Sequence, residues 1–109
     1  MEMKWTVVFY KGIADEIENN WPQGIRTKLS RIVLALQING PEEIGMPYTK
    51  PLGKGLFEMR AQGKEGNGRA IFCLSAKKQI FVLNAFIKKT QKTPAKELNL
   101  AIKRFKELK

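Results

Sequence analysis

The 109-residue chain carries 20 Lys+Arg against 10 Asp+Glu, a formal charge of +10 and a pI near 10.0, with hydrophobic residues at 43%. That length fits one domain spanning residues 1–109, and that apolar content argues against disorder. Histidine is absent and Cys73 is the only cysteine, which excludes the usual general base, every Ser-His or Cys-His nucleophile, an internal disulfide and a cysteine metal cluster.

WTVVFY, Trp5 to Tyr10, is rich in β-branched and aromatic residues and predicts a first strand. Lys11-Gly12 breaks it. Ile13 to Asn20 reads as a short helix. Ile25, Leu29, Ile32, Val33 and Leu36 then recur at helical period and define one apolar face, with Arg26, Lys28 and Arg31 largely off it. Gly40 and Pro41 stop that helix. Pro41 to Gly55 is a connector with three prolines and three glycines, anchored by Met46 and Leu52.

Three strands follow. Leu56 to Ala61 alternates, with Phe57, Met59 and Ala61 on one side and Glu58 and Arg60 on the other. Gln62 to Gly68 reads as a hairpin loop, and Arg69 to Ser75 as the return strand. After a turn at Ala76-Lys77-Lys78, Gln79 to Ile87 is nearly continuous apolar, as expected of a strand buried on both faces. Thr93-Pro94 opens the last helix, with Thr93 as N-cap and Ala95, Leu98, Ile102 and Phe105 as its apolar side. The order β-α-α-β-β-β-α predicts an α+β fold, a mainly antiparallel sheet with helices against one face.

The charge excess points to phosphate backbones or an acidic protein partner. It concentrates after the last strand, where FIKKTQKTP places Lys88, Lys89 and Lys92 just before the final helix. A solvated loop explains such a run as well as a polyanion site does. The carboxylates are scattered, so a metal enzyme is not expected and no cofactor is implied. No apolar run approaches the roughly 18 residues that would span a bilayer, and the N-terminus lacks a secretion pattern, so no membrane partner and a cytoplasmic location are expected.

GLFEMR, the glycine-rich hairpin, GRAIFCL and the strand ending FIKKTQKTP resemble the RelE/ParE toxin superfamily, and more closely the phage-derived Gp49-like or HigB-type toxins. The resemblance spans nearly the whole chain and is most specific from Lys50 to Pro94. It implies a RelE-like fold and the toxin of a type II toxin–antitoxin pair. It further implies a ribosome-dependent endoribonuclease acting on messenger RNA, with a helix-turn-helix antitoxin as partner. Arg60 matches the basic residue of the family's strand motif, Arg69 the arginine opening the next strand, and Lys88, Lys89 and Lys92 the basic cluster. The chain departs from some members in lacking histidine and a tyrosine in its last helix, where Phe105 stands.

If it cuts RNA, lysine and arginine do the work. Arginine suits the charge building up at phosphorus. A lysine becomes a base only if burial or neighbouring cations lower its pKa. Arg60, Arg69, Lys89 and Lys92 are the candidate catalytic residues, and Lys50, Lys54 and Lys88 candidate RNA contacts. The ParE branch inhibits DNA gyrase instead, and a non-toxic basic nucleic-acid-binding module is a third reading; fold alone does not choose among them.

Overall fold

A computed structural model describes residues 2–88 and 92–108. The chain runs β1 (Thr6–Phe9), α1 (Ile13–Asn20), α2 (Gln23–Asn39), a 3₁₀ turn (Pro41–Glu43), β2 (Thr49–Gly53), β3 (Leu56–Gly63), β4 (Gly66–Ser75), β5 (Gln79–Lys88) and α3 (Ala95–Glu107). The five strands form one sheet in the order β1-β5-β4-β3-β2, parallel between β1 and β5 and antiparallel elsewhere. The expected α+β class and mainly antiparallel sheet are therefore observed.

Three expectations need correction. The connector contains an additional edge strand, β2, which pairs with β3 from Thr49↔Met59 to Gly53↔Leu56. The hairpin loop is shorter than expected: β3 and β4 pair down to Gly63↔Gly66, leaving only Lys64 and Glu65 between them. The helices do not share one face of the sheet. α1 and α2 cover one side and α3 the other, because strand alternation makes the inner strands apolar on both sides.

On the α1/α2 side, Trp21, Ile25, Leu29 and Leu36 pack on Met59, Ala61, Ala70, Phe72 and Val82. Gly68 is part of that contact. A Cβ there would lie 2.6 Å from the Trp21 ring and 2.7 Å from Ile25, so only glycine lets the start of α2 sit this close. The outer edge of β1 is shielded by Gln37 of α2, whose side-chain oxygen accepts from the Val7 N–H at 3.0 Å and whose carbonyl accepts from Lys4 and Trp5.

On the α3 side, Ala101 is buried and Leu98, Ile102 and Phe105 are half-buried over Leu56, Ile71, Cys73, Leu83 and Phe86. Polar ties fix both ends of α3. Asn84 Nδ2 donates to the Glu97 carbonyl at 3.0 Å and to its carboxylate at 3.1 Å. Arg104 donates to the Leu83 carbonyl at 2.8 Å and lies 4.3 Å over the Tyr10 ring. α3 thereby covers the β4-β5 half of this face. The Arg60–Arg69–Lys88 end is left to charged side chains.

Candidate functional site

Strand pairing builds the site. Arg60 lies opposite Arg69 across β3 and β4, Lys50 opposite Glu58 across β2 and β3, and Asn67 opposite Lys88 across β4 and β5. Alternation sends Phe57, Met59 and Ala61 to the α2 core and Glu58 and Arg60 to the opposite face, as the sequence predicts, and that face proves to be the one α3 packs on rather than an open one. The long strands thus bring residues distant in sequence to one rung region beyond the end of α3.

Glu58 is the centre. Only 2% of it is exposed, and its Oε1 lies 3.5 Å from Arg69 Nε and 3.8 Å from Arg60 Nε. Its Oε2 accepts a hydrogen bond from Thr93 Oγ1 at 2.7 Å. Thr93 therefore does not cap α3 as expected. α3 has no side-chain cap, and Pro94 occupies the N-cap position. The threonine hydroxyl instead ties the segment entering α3 to the sheet.

The guanidiniums surround this carboxylate without being satisfied by it. Arg69 is 1% exposed, and its Nη1 donates to the Gly68 carbonyl at 3.0 Å. Yet the Nε of Arg69 and that of Arg60 are both buried with no hydrogen-bond acceptor among the described residues. Two buried Nε groups lie 3.5 and 3.8 Å from one carboxylate oxygen without hydrogen-bonding it. Buried donors are rarely left in that condition.

Electrostatics follow from the crowding. Burial lowers the pKa of Arg69, Arg60 lowers it further, and Glu58 partly opposes both. Lys88 is buried too, and its pKa falls mainly through burial, then through Arg69, with Arg60 and Lys50 adding and Glu58 opposing. Those are the two causes that convert a lysine toward a base.

Arg60, Arg69 and Lys88 come together, and Lys50, although exposed, acts on Lys88 from β2 at the sheet edge, with β3 and β4 between them. Lys92 is exposed in the bend just before Thr93. Lys54 is not brought in: it sits in the β2–β3 turn, whose Gly55 approaches the Phe105 ring, at the opposite end of the hairpin. Lys89 lies outside the described residues. The sequence offers Glu58 or Glu65 as a surface ion-pair partner of Arg60; Glu58 does pair with Arg60, but buried rather than at the surface, and sequence reasoning missed Thr93 as a partner of Glu58. The available signal was parity, since Glu58 and Arg60 share a strand face that Arg69 joins across the hairpin.

No helix among the described residues is long and apolar enough to cross a membrane. A comparison with curated proteins gives no match. A family model for phage-derived Gp49-like proteins matches residues 16–106, a span that contains Arg60, Arg69, Lys88 and Glu58. This family is one of RelE-like toxins, and a toxin of such a pair implies an antitoxin partner. With most of its length matched, and with a five-stranded α+β fold compatible with the RelE-like one, the chain belongs to the Gp49-like family of phage-derived, RelE-like toxins.

Proposed function

We propose that this chain is the toxin of a type II toxin–antitoxin pair. It cuts messenger RNA on the ribosome, in the cytoplasm, without a cofactor. The observation that carries the reading is the pair of buried arginine Nε groups converging on Glu58 with no acceptor of their own among the described residues. A phosphodiester supplies the oxygens such donors want, and a guanidinium fork matches them.

RNA brings its own nucleophile. A base takes the proton from the 2′-OH, the 2′-oxygen bonds to phosphorus, and the bond from phosphorus to the 5′-oxygen breaks. An acid returns a proton to that leaving oxygen, giving a 2′,3′-cyclic phosphate and a 5′-OH end. Arg69 and Arg60 stabilise the charge that builds on the phosphorane oxygens. The proton carriers are lysines of the cluster. Among the described lysines, Lys88 is the one whose environment lowers its pKa, and Lys89 or Lys92, from the same basic cluster, exchanges the second proton. Lys50, across from Glu58 on β2, contacts the RNA backbone at the cluster, and Lys54 contacts it farther along, at the β2–β3 turn. Arg69 is closed off in this arrangement, so side chains over it must move for a phosphate to reach it.

The antitoxin is acidic where it meets this surface, to offset a charge of +10, and of helix-turn-helix type as the resemblance implies. The decisive experiment is induced expression in a bacterium, wild type beside Arg69→Ala, with messenger RNA 5′ ends mapped. Growth arrest with new codon-registered ends is expected for wild type, reduced about a hundredfold or more in the variant. Arrest without new ends, with DNA damage instead, transfers the protein to the gyrase-inhibitor reading. Near-normal cleavage by Arg69→Ala removes the phosphate-stabilising role.

A further inference from the structure

We propose that the groove between α2 and the segment from Ile44 to Tyr48 binds a nucleobase of single-stranded RNA, next to the phosphate held at Arg60. The inference rests on the reading above for the phosphate and adds the site that reads what is attached to it. The groove encloses about 550 Å³, within the roughly 300–1,000 Å³ of small-ligand pockets. Ile32 and Ile44 give it apolar walls, and Lys28, Arg31 and Arg60 give it cations. No carboxylate lines it among the described residues. Tyr48 also lines it while remaining 55% exposed, an aromatic ring left open to stack.

An apolar cleft with an open aromatic ring and only positive charges suits a planar, π-faced ligand on a polyanionic chain. A peptide strand suits it less. β3 leaves β2 after Met59, so its edge from Arg60 onward is where an added strand would pair. That edge is already used: the Arg60 N–H donates to the Tyr48 carbonyl at 2.8 Å, and Lys28 Nζ donates to the Gln62 carbonyl. Arg60 joins groove and cluster. Its Nε lies 3.8 Å from Glu58 while the same residue lines the groove, and its Nη1 contacts Met46 Sδ of the connector, also at 3.8 Å. Because Arg60 lines the groove, a nucleotide whose phosphate engages Arg60 has its base beside this cleft.

The test is binding, which does not need cleavage. Purified protein is titrated with a fluorescent single-stranded RNA trinucleotide, 2′-O-methylated so that it cannot be cut, and with the same trinucleotide made abasic. Tyr48→Ala and Arg31→Ala change exposed side chains, so the fold is expected to survive, and far-UV circular dichroism checks it. The base-bearing RNA is expected to bind about tenfold or more tighter than the abasic one. Tyr48→Ala should erase that difference, Arg31→Ala should shrink it, and Tyr48→Phe should restore it. Arg69→Ala should weaken both RNAs alike. Equal binding of the two RNAs, or indifference to Tyr48→Ala, overturns the groove while leaving the phosphate site standing. Failure of both RNAs to bind overturns both. Tyr48-dependent binding by a protein that never cuts messenger RNA in cells keeps the groove and removes the nuclease. Displacement of the base-bearing RNA by an acidic peptide at Tyr48, with no preference for bases over abasic RNA, assigns the groove to a protein and overturns the proposal.

Discussion

The two faces of the sheet are made of the same strands and are built for opposite purposes. On the α1/α2 side the inward residues are apolar throughout, and glycine at position 68 lets Trp21 and Ile25 close against β4. On the α3 side the same alternation yields an apolar half beneath Leu98, Ala101 and Ile102 and a charged half around Glu58. The difference comes from coverage. The first face is met by helices of 8 and 17 residues, the second by one of 13 tethered through Asn84 and Arg104 over β5. Strand ends beyond α3 hold charged side chains that are themselves buried, and long strands make that charge dense by aligning residues from β2, β3, β4 and β5. One face therefore supplies the free energy that lets the other hold like charges together.

That division predicts where stability resides. Phe72 is 1% exposed and stacks on Phe57 with ring centroids 5.5 Å apart. Phe72→Ala should cost about 3–5 kcal/mol, seen as a fall in the urea midpoint. Across the sheet, Glu58→Ala should cost about 3 kcal/mol, because it strips the carboxylate from the buried Arg69 and the half-buried Arg60 and leaves Thr93 without its acceptor. Glu58→Gln keeps that acceptor and should recover part of the loss. Equal stability of Glu58→Ala and wild type would mean that the carboxylate contributes nothing to holding the arginines. Gly68→Ala sharpens the comparison from the core side. The new methyl meets two large side chains inside 3 Å, so about 1–3 kcal/mol should be lost by overpacking, with the arginine cluster left chemically intact.

Much of the fold was legible because its elements carry strong periods. The apolar face of α2, the alternation of β3 and the continuous apolar run of β5 each announce themselves within one segment. β2 was hidden for a physical reason: an edge strand exposed along most of its length, carrying Pro51 and closing at Gly53, needs no alternating apolar pattern. The arginines and the Lys88 region were legible as charges on a given face or strand end. Glu58 was not legible as a buried centre, since glutamate is almost never fully buried unless paired and its partners come from other strands. Thr93 before a proline reads as a helix cap until the sheet claims its hydroxyl. The groove was beyond any local reading, because its lining joins Lys28 to Gln62 through tertiary packing alone.

The smallest predicted effect separates the two faces most cleanly, because stability and activity should move in opposite directions. Lys88 sits on the charged face with its pKa lowered, first by burial and then by Arg69. A lowered folded-state pKa means that at neutral pH the ammonium costs the folded chain more than the unfolded one. Lys88→Met keeps the length and removes the charge, so it should raise stability at pH 7 while abolishing the proton-transfer role. The pH dependence fixes the cause. Between the lowered folded pKa of Lys88 and the ordinary lysine value of about 10.4, the unfolded chain holds a proton that the folded chain has released. Wild-type stability therefore gains from Lys88 as pH rises through that window, and the advantage of Lys88→Met should shrink. Urea midpoints of both proteins from pH 7 to pH 10 measure it. A constant difference across that range would show that Lys88 does not titrate there and would withdraw it as the base. A narrowing gap, with cleavage by wild type rising over the same pH interval, would join the two observations in one proton.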